Sequence, residues 1–483
     1  MSLSSIAQNI SYLILLINII LAVSVIFIER RNVGVTWAWL MVLLFLPVVG
    51  FALYLLFGQN LSRIKLYKIK KETEERFRSI IERQRKQFRQ HRLTYNDDSA
   101  AEYEDLIYMN LSSAMSLYTQ DNDVRIFTDG QAKFDALIDE LERAKHHIHL
   151  MYYIVHDDGI GRKLLDCLVR KANEGVAVRF LYDPIGSHRL HSRFFEPLVK
   201  AGGEVAAFFP SRIPYLNFRV NYRNHRKIAI IDGKVGYIGG INVGDEYLGL
   251  DPKFGYWRDT HLRLQGSAVK QLQSQYLLDW NLASNRMFEG EAYFPDFKGG
   301  GQVGVQIVSS GPDQEMEQIK NGYIRMIHLA KESVWIQTPY FIPDESLQSA
   351  IRLAALSGVD VKIMIPARPD HKMVYWASRS YLGELLPLGV QCLLYEKGFL
   401  HAKALVIDGK VATVGTANFD IRSFKLNFES NAFIYDRSVA GRLKSIFEED
   451  MAHCRELTLA EHLNRPRLHR IRESVTRLLS PIL

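Results

Sequence analysis

Two stretches of this chain are nearly the same. NHRKIAIIDGK runs over 224–234 and LHAKALVIDGK over 400–410. Each holds His-x-Lys, four further residues, then Asp-Gly-Lys: His225, Lys227 and Asp232 in one, His401, Lys403 and Asp408 in the other. A glycine and an asparagine follow at matching distances, Gly239 and Asn242, then Gly415 and Asn418. The surroundings repeat too. Ala144-Lys145 matches Ala330-Lys331, and Gly175-Val176 matches Gly358-Val359, with helix-like and strand-like runs in the same order between them. Spacing this long marks a duplication of whole units rather than a solenoid. Helices alternating with apolar strands predict an α/β sandwich in each half.

The repeated residues carry chemistry. An i, i+2 spacing on a strand puts His and Lys on one face. Histidine serves as nucleophile or acid/base near neutral pH. Lysine and asparagine donate to phosphate oxygens. Two packed halves would bring two histidines to one point. One would attack phosphorus and the other would move the proton of the alcohol. Lys227, Lys403, Asn242 and Asn418 would hold the oxygens, so the scheme requires neither metal nor cofactor. The motif aspartates Asp232 and Asp408 open Asp-Gly-Lys turns, which points to an architectural part.

The first sixty residues differ in kind. Residues 10–28 and 35–57 are uncharged and long enough to cross a bilayer as helices. Trp37, Trp39 and Tyr54 lie near the ends of the second. Nothing before the first resembles a cleaved signal. Twelve Lys/Arg between Arg63 and Arg92 outweigh Arg30 and Arg31 in the short loop, which places the basic side in the cytoplasm. That stretch also carries glutamates at helical spacing, so it suits a solvated helix as well as a collar on anionic lipid. The expected organisation is a hairpin over 1–60, a basic helix and linker over 61–120, and two domains over 121–300 and 301–483.

Net charge of +7 and a pI near 9.0 favour anionic partners. Three widely spaced cysteines, Cys167, Cys392 and Cys454, form no zinc spacing and no disulfide framework.

The paired motifs resemble the phospholipase D superfamily from about residue 120 onward. Together with two N-terminal spans, WRDTHLRLQGSAV (257–269), TPYFIPDE (338–345), PARPDHKMV (366–374) and GTANFDIRSFKLNFE (415–429), the pattern is similar to its bacterial cardiolipin synthases. The resemblance implies two duplicated α/β/α sandwich domains sharing one site. It implies transfer of a phosphatidyl group between two phosphatidylglycerol molecules through a phosphohistidine, giving cardiolipin and glycerol, without a cofactor. By that analogy His225 is the nucleophile and His401 the general acid. Carboxylates that orient the histidines follow each motif in the family, and Asp259 and Glu429 occupy those places. A crossed arrangement is expected, Glu429 on His225 and Asp259 on His401. The alternatives are a turn cap at Asp259 and a pair with Lys425 or Arg422 at Glu429. The implied setting is the bacterial inner membrane, with catalytic domains facing the cytoplasm, phosphatidylglycerol and cardiolipin as lipid partners and no nucleic acid. Which histidine attacks, which lipid donates and the oligomeric state stay open. A phospholipase D hydrolase, another phosphatidyltransferase and a nucleic-acid phosphodiesterase remain alternatives.

Other candidates are weaker. His156, Asp157 and Asp158 read as a metal site or as helix caps. Tyr152, Tyr153 and Tyr340 are placed for a headgroup pocket, and Arg368 and His371 for a covering loop. The last residues, RLHRIRESVTRLLSPIL, suit a membrane surface or docking on the domain.

Overall fold

Apolar strands that are buried on both faces dictate the architecture. The computed structural model describes residues 3–27, 33–46, 48–50, 53–54, 66–67, 71–210, 221–296 and 300–480. One unit contains residues 1–65 and 209–222, and the other residues 66–208 and 223–483.

In the first unit, α1 (Leu3–Phe27) and α2 (Val33–Phe45) pack together. Asn18 donates to the Leu43 carbonyl at 3.3 Å, and Trp39 and Tyr54 meet edge to face. No helix among the described residues is long and apolar enough to cross a membrane. The predicted inter-span loop, the end of the second span and most of residues 58–70 lie outside the described residues.

The second unit opens with α3 (Lys71–Arg89) and α4 (Glu104–Ser113). The first half then runs β1 (Thr119–Phe127), α5 (Gly130–Glu142), β2 (His147–Tyr152), α6 (Gly159–Asn173), β3 (Ala177–Tyr182) and β4 (Glu204–Ala207). It continues with β5 (Arg223–Asn224), β6 (Ile228–Ile231), β7 (Val235–Gly239), β8 (Tyr256–Arg258), β9 (His261–Gln265) and α7 (Ala268–Ser284). The second half begins β10 (Val303–Ser310), α8 (Gln318–Leu329), β11 (Ser333–Gln337), β12 (Phe341–Ile342), α9 (Glu345–Leu356), β13 (Asp360–Pro366) and α10 (Lys372–Gly383). After it come β14 (Gln391–Tyr395), β15 (Gly398–Leu400), β16 (Ala404–Ile407), β17 (Val411–Gly415), β18 (Phe419–Asp420) and β19 (Asn427–Tyr435). The chain closes with α11 (Arg437–Met451), β20 (Cys454–Glu456) and α12 (Arg467–Leu478).

The sheet displays the duplication. Its order is β20-β14-β13-β11-β16-β17-β19-β10 for the second half and β1-β9-β7-β6-β2-β3-β4 for the first. Read outward from the centre, the halves have the same order, with β20 an added edge strand of the second. They join through an antiparallel β1–β10 seam, with Thr119 opposite Val305. Helices cover both faces. In the first half α5 and α6 pack on Ile148, Leu150, Val178 and Phe180. On the other face α7 lies over Gly236, where an added Cβ would sit 2.8 Å from Leu272 Cδ1. In the second half α8 and α9 cover one face, and α11 meets Trp335 on the other. The matching Gly175 and Gly358 have φ of +89° and +86°, the left-handed turn that ends a helix before the next strand.

Within the stretch expected as basic helix and linker, residues 98–113 are packed on the second half. Leu106, Ile107 and Leu111 are fully buried against the second half. Asn110 donates to the Tyr435 hydroxyl, and Lys410 donates to Glu102. The acidic composition of the stretch conceals a one-sided apolar helix. Its basic neighbour α3 is likewise docked, through buried Ile81 and Phe88.

Candidate active site

Two short parallel strand pairs build the site. β5 pairs with the start of β19, and β15 pairs with β8. Each joins a segment just ahead of a motif histidine to a segment just ahead of the other half's carboxylate. The register continues by one residue. The His225 amide donates to the Phe428 carbonyl at 3.0 Å, and the His401 amide donates to the Arg258 carbonyl at 2.7 Å. The next side chains must then meet. His225 Nδ1 lies 2.9 and 3.1 Å from the Glu429 carboxylate oxygens, and His401 Nδ1 lies 2.7 Å from Asp259 Oδ2. The His-x-Lys segments themselves lie in extended chain just before β6 and β16, rather than within a strand.

Electrostatics fix the ring tautomers. Burial alone would raise Glu429, but His225 and Lys227 overcome it and hold the carboxyl below its usual range. His401 and Lys403 do the same for Asp259. An ionised carboxylate can only accept, so each Nδ1 donates and each Nε2 keeps its lone pair. Burial pushes both histidines down to about 4. Both are neutral at pH 7, with Nε2 ready to bond phosphorus or a proton.

The lysines are fully buried. Lys227 Nζ donates to its own His225 carbonyl at 2.7 Å, and Lys403 Nζ to the His401 carbonyl at 2.5 Å. Each ammonium keeps donors for other partners. Burial lowers Lys403 to about 8 and Lys227 well below its ordinary value. Each lysine lies within the electrostatic reach of the other half's histidine. Lys227 and Lys403 are each drawn toward both Glu429 and Asp259.

The repeats differ beside the carboxylates. Thr416 donates its hydroxyl to Glu429, and Asn427 adds an amide donor at 3.2 Å. Gly240 stands where Thr416 does. A Cβ there would lie 2.0 Å from Asp259 Oδ1. The shorter aspartate leaves no room for a side chain and takes the Thr260 amide at 2.7 Å instead.

Asp232 and Asp408 stand apart from the histidines. Asp232 accepts the amides of Lys145, His146 and His147 at 2.7–3.0 Å. Asp408 accepts those of Lys331, Glu332 and Ser333 at 2.8–2.9 Å. Both residues have φ of 54°. They tie the Asp-Gly-Lys turn to the entry of β2 or β11, two strands of the sheet beneath the site.

Asn242 and Asn418 are buried and engaged inside the protein. Asn242 accepts the Ile154 amide and donates to the Tyr247 hydroxyl. Asn418 donates to Asp420 at 3.1 Å. Tyr153 packs on His225, with ring centroids 4.8 Å apart. Tyr152 points away and accepts from buried Lys133. Tyr340 donates to Asp370, in the loop that also carries the exposed Arg368 and His371. Asp158 caps α6 through the Gly161 amide, and Asp157 pairs with Arg162. Lys425 pairs with Glu317 rather than Glu429.

Sequence reasoning missed two arginine clamps. Arg226 grips Asp279 with one guanidinium nitrogen, at 2.8 and 2.7 Å, and donates to the Glu429 carbonyl and Ser430 hydroxyl. Tyr67 adds a donor to Asp279 at 2.7 Å. Arg258 grips Asp450, which also accepts from Gln337. Each arginine adjoins a catalytic candidate in sequence, which is the signal that was available.

Two parts of the chain, residues 137–253 and 323–451, match the family described as cardiolipin synthase, PLD-like domain. Residues 16–59 match a phospholipase D-nuclease N-terminal family. The chain is 53% identical to the major cardiolipin synthase ClsA of Bacillus subtilis over the full length of both. It is 51% identical to a cardiolipin synthase of Oceanobacillus iheyensis over 97% of both. The chain belongs to the cardiolipin synthase family. Among solved structures, the phosphatidylserine synthase of Haemophilus influenzae matches with a TM-score of 0.60 at 17% identity, covering 80% of this chain and all of that one. That likeness shows the fold: the duplicated sandwich is one that cardiolipin synthases share with this second enzyme.

Proposed function

We propose that the protein is a phosphatidyltransferase that makes cardiolipin from two molecules of phosphatidylglycerol. The observation that carries the reading is the pair of crossed histidine–carboxylate contacts, which leaves two Nε2 atoms unprotonated in one buried pocket. His225 Nε2 attacks the phosphorus of the first lipid. The N–P bond forms as the P–O bond to glycerol breaks, and His401 protonates the departing oxygen. His401 then takes the proton from the terminal headgroup hydroxyl of a second phosphatidylglycerol. That oxygen attacks phosphorus, the N–P bond breaks, and cardiolipin leaves with His225 restored. Lys227 and Lys403 bind the non-bridging oxygens.

The substrate's own charge makes a neutral His401 an acid. The phosphodiester brings a negative charge beside the ring, which favours its protonated form, and Asp259 on Nδ1 stabilises the cation.

The membrane assignment belongs to the same reading. Residues 10–28 and 35–57 form a two-span hairpin in the bacterial inner membrane, the basic stretch after it lies on the cytoplasmic face, and the domains divide near residue 300. The match of residues 16–59 to an N-terminal family of phospholipase D-type proteins supports it.

Detergent-solubilised protein is incubated with headgroup-labelled phosphatidylglycerol, without added nucleotide, beside His225→Ala and His401→Ala. Cardiolipin and free glycerol, both lost in the variants, are the expected products. Phosphatidic acid alone would replace the transferase by a hydrolase. No turnover of lipid, with cleavage of a nucleic-acid diester, would overturn the lipid reading.

A further inference from the structure

The C-terminal helix has two unlike faces. One is docked on α10. His469 lies against Trp376 with ring centroids 4.7 Å apart, and Arg477 stands 4.6 Å over the Tyr381 ring. Glu473 and Thr476 are buried, with Arg465 donating to Glu473 at 2.7 Å. The other face carries Leu468, Ile471, Val475 and Leu478, which are 56%, 59%, 53% and 82% exposed. At 3.6 residues per turn these four fall within a sector of roughly 80°. Arg467 borders that sector on one side and Arg472 on the other; both are exposed, and the Arg472 guanidinium also stands 5.6 Å over the Trp376 ring. An apolar ridge held out of the protein between two arginines is how a helix lies in a lipid interface.

Its position relates to the site. His469 pairs with Trp376 and Arg477 with Tyr381, so α12 and α10 run in the same direction. Their leading ends lie together. Asp370, just ahead of α10, accepts from Tyr340, and its charge reaches Lys403. Met373, in the first turn of α10, is 46% exposed. The ridge therefore starts beside the loop at the rim of the site.

We infer that the ridge of Leu468, Ile471, Val475 and Leu478 lies in the interfacial layer of an anionic bilayer, with Arg467 and Arg472 reaching headgroups on its two sides, and that it holds the rim of the site at the lipid surface. The inference rests on the phospholipid reading. It adds a second, peripheral contact, built from the last helix of the chain. The arginines select an anionic bilayer over a second copy of the chain, which would set like charges against each other.

The test uses the full chain in phosphatidylethanolamine–phosphatidylglycerol vesicles. Ile471→Cys in a Cys454→Ser background takes an environment-sensitive fluorophore, the two remaining cysteines being buried. Glu449→Cys, an exposed position of α11, serves as the reference. Spin-labelled lipid is expected to quench the Ile471 label by more than about half, and the Glu449 label by less than about a tenth. In parallel, Leu468→Ser with Ile471→Ser is expected to raise KM for vesicle lipid about tenfold. Turnover of a water-soluble nitrophenyl phosphodiester stays the same. Quenching at Ile471 no greater than at Glu449 overturns the contact, as does energy transfer between labelled copies in its place. An unchanged lipid KM overturns the orienting role. Quenching is read without turnover, so failure of the contact and failure of the lipid chemistry give different results.

Discussion

Glu429→Gln and Asp259→Asn separate the roles of the two histidines. Glu429 presents both oxygens to His225 Nδ1, at 2.9 and 3.1 Å, and is itself held by Thr416 and Asn427. Glutamine keeps the shape but loses the charge. If its oxygen faces Nδ1, the ring keeps its tautomer and loses the charge that stabilises it as it turns cationic on phosphorus. If its nitrogen faces Nδ1, the proton moves to Nε2 and the nucleophile is lost. In a serine protease the corresponding change lowers kcat about 10⁴-fold. Here the first outcome retains part of the effect, so a kcat loss of about 10²–10⁴ is expected with KM little changed. Asp259→Asn should cost a similar factor with lipid substrate. The two diverge when nitrophenol is the leaving group, because nitrophenolate needs no proton. Formation of the phosphohistidine, read by acid quench and mass spectrometry, should recover in Asp259→Asn and stay slow in Glu429→Gln. The opposite recovery would make His401 the nucleophile. Full activity of either variant on lipid would refute the carboxylates' part altogether.

Gly240→Ala should press a methyl group into Asp259, where only 2.0 Å is available. It should lower kcat about 10²-fold or more while the thermal midpoint stays near wild type. Asp408→Ala leaves three amides without their acceptor and alanine at φ 54°. We expect a loss of about 2–4 kcal/mol in denaturant unfolding, with near-normal kcat in the folded fraction. Acid should destabilise the protein in a defined window. An unfolded histidine titrates near 6.5, and His225 and His401 are held at about 4. The unfolded chain binds protons that the folded chain refuses, so stability falls as pH drops from about 6.5 to about 4. Urea midpoints at several pH values check this, and His225→Gln with His401→Gln should flatten the slope.

Much of the site is written locally, and the rest is not. The motif spacing marks His225, Lys227, His401 and Lys403 because chemistry demands those side chains. The α/β sandwich of each half follows from the alternation of helix and strand, whereas the order of strands within the sheet does not. The Gly240–Thr416 difference, visible as a mere variation between repeats, has a cause only once Asp259 and Glu429 are seen in place. One is a methylene shorter than the other, and the space left over decides which residue fits. Arg226 and Arg258 stand beside catalytic candidates, but their partners could not be assigned from sequence because Asp279 and Asp450 come from helices far along the chain. Asn242 and Asn418 repeat as faithfully as the histidines, and their amides meet Ile154, Tyr247 and Asp420, while Asn418 Oδ1 is left unpaired among the described residues. Repetition in a duplicated sequence records structural and chemical need alike. The docking of residues 98–113 was hidden for a different reason: their charged positions face outward and say nothing of the face that is buried.

The exchange of strands between β5 and β19, and between β15 and β8, bears on how the protein is made. His225 is synthesised long before Glu429, and Asp259 long before His401. A chain that stops before residue 401 holds His225 without Glu429, and a fragment of the second half alone likewise holds His401 without Asp259. On the proposed mechanism neither piece assembles an oriented histidine pair, and reactivity toward phosphodiesters arrives only when the two halves have met in one fold.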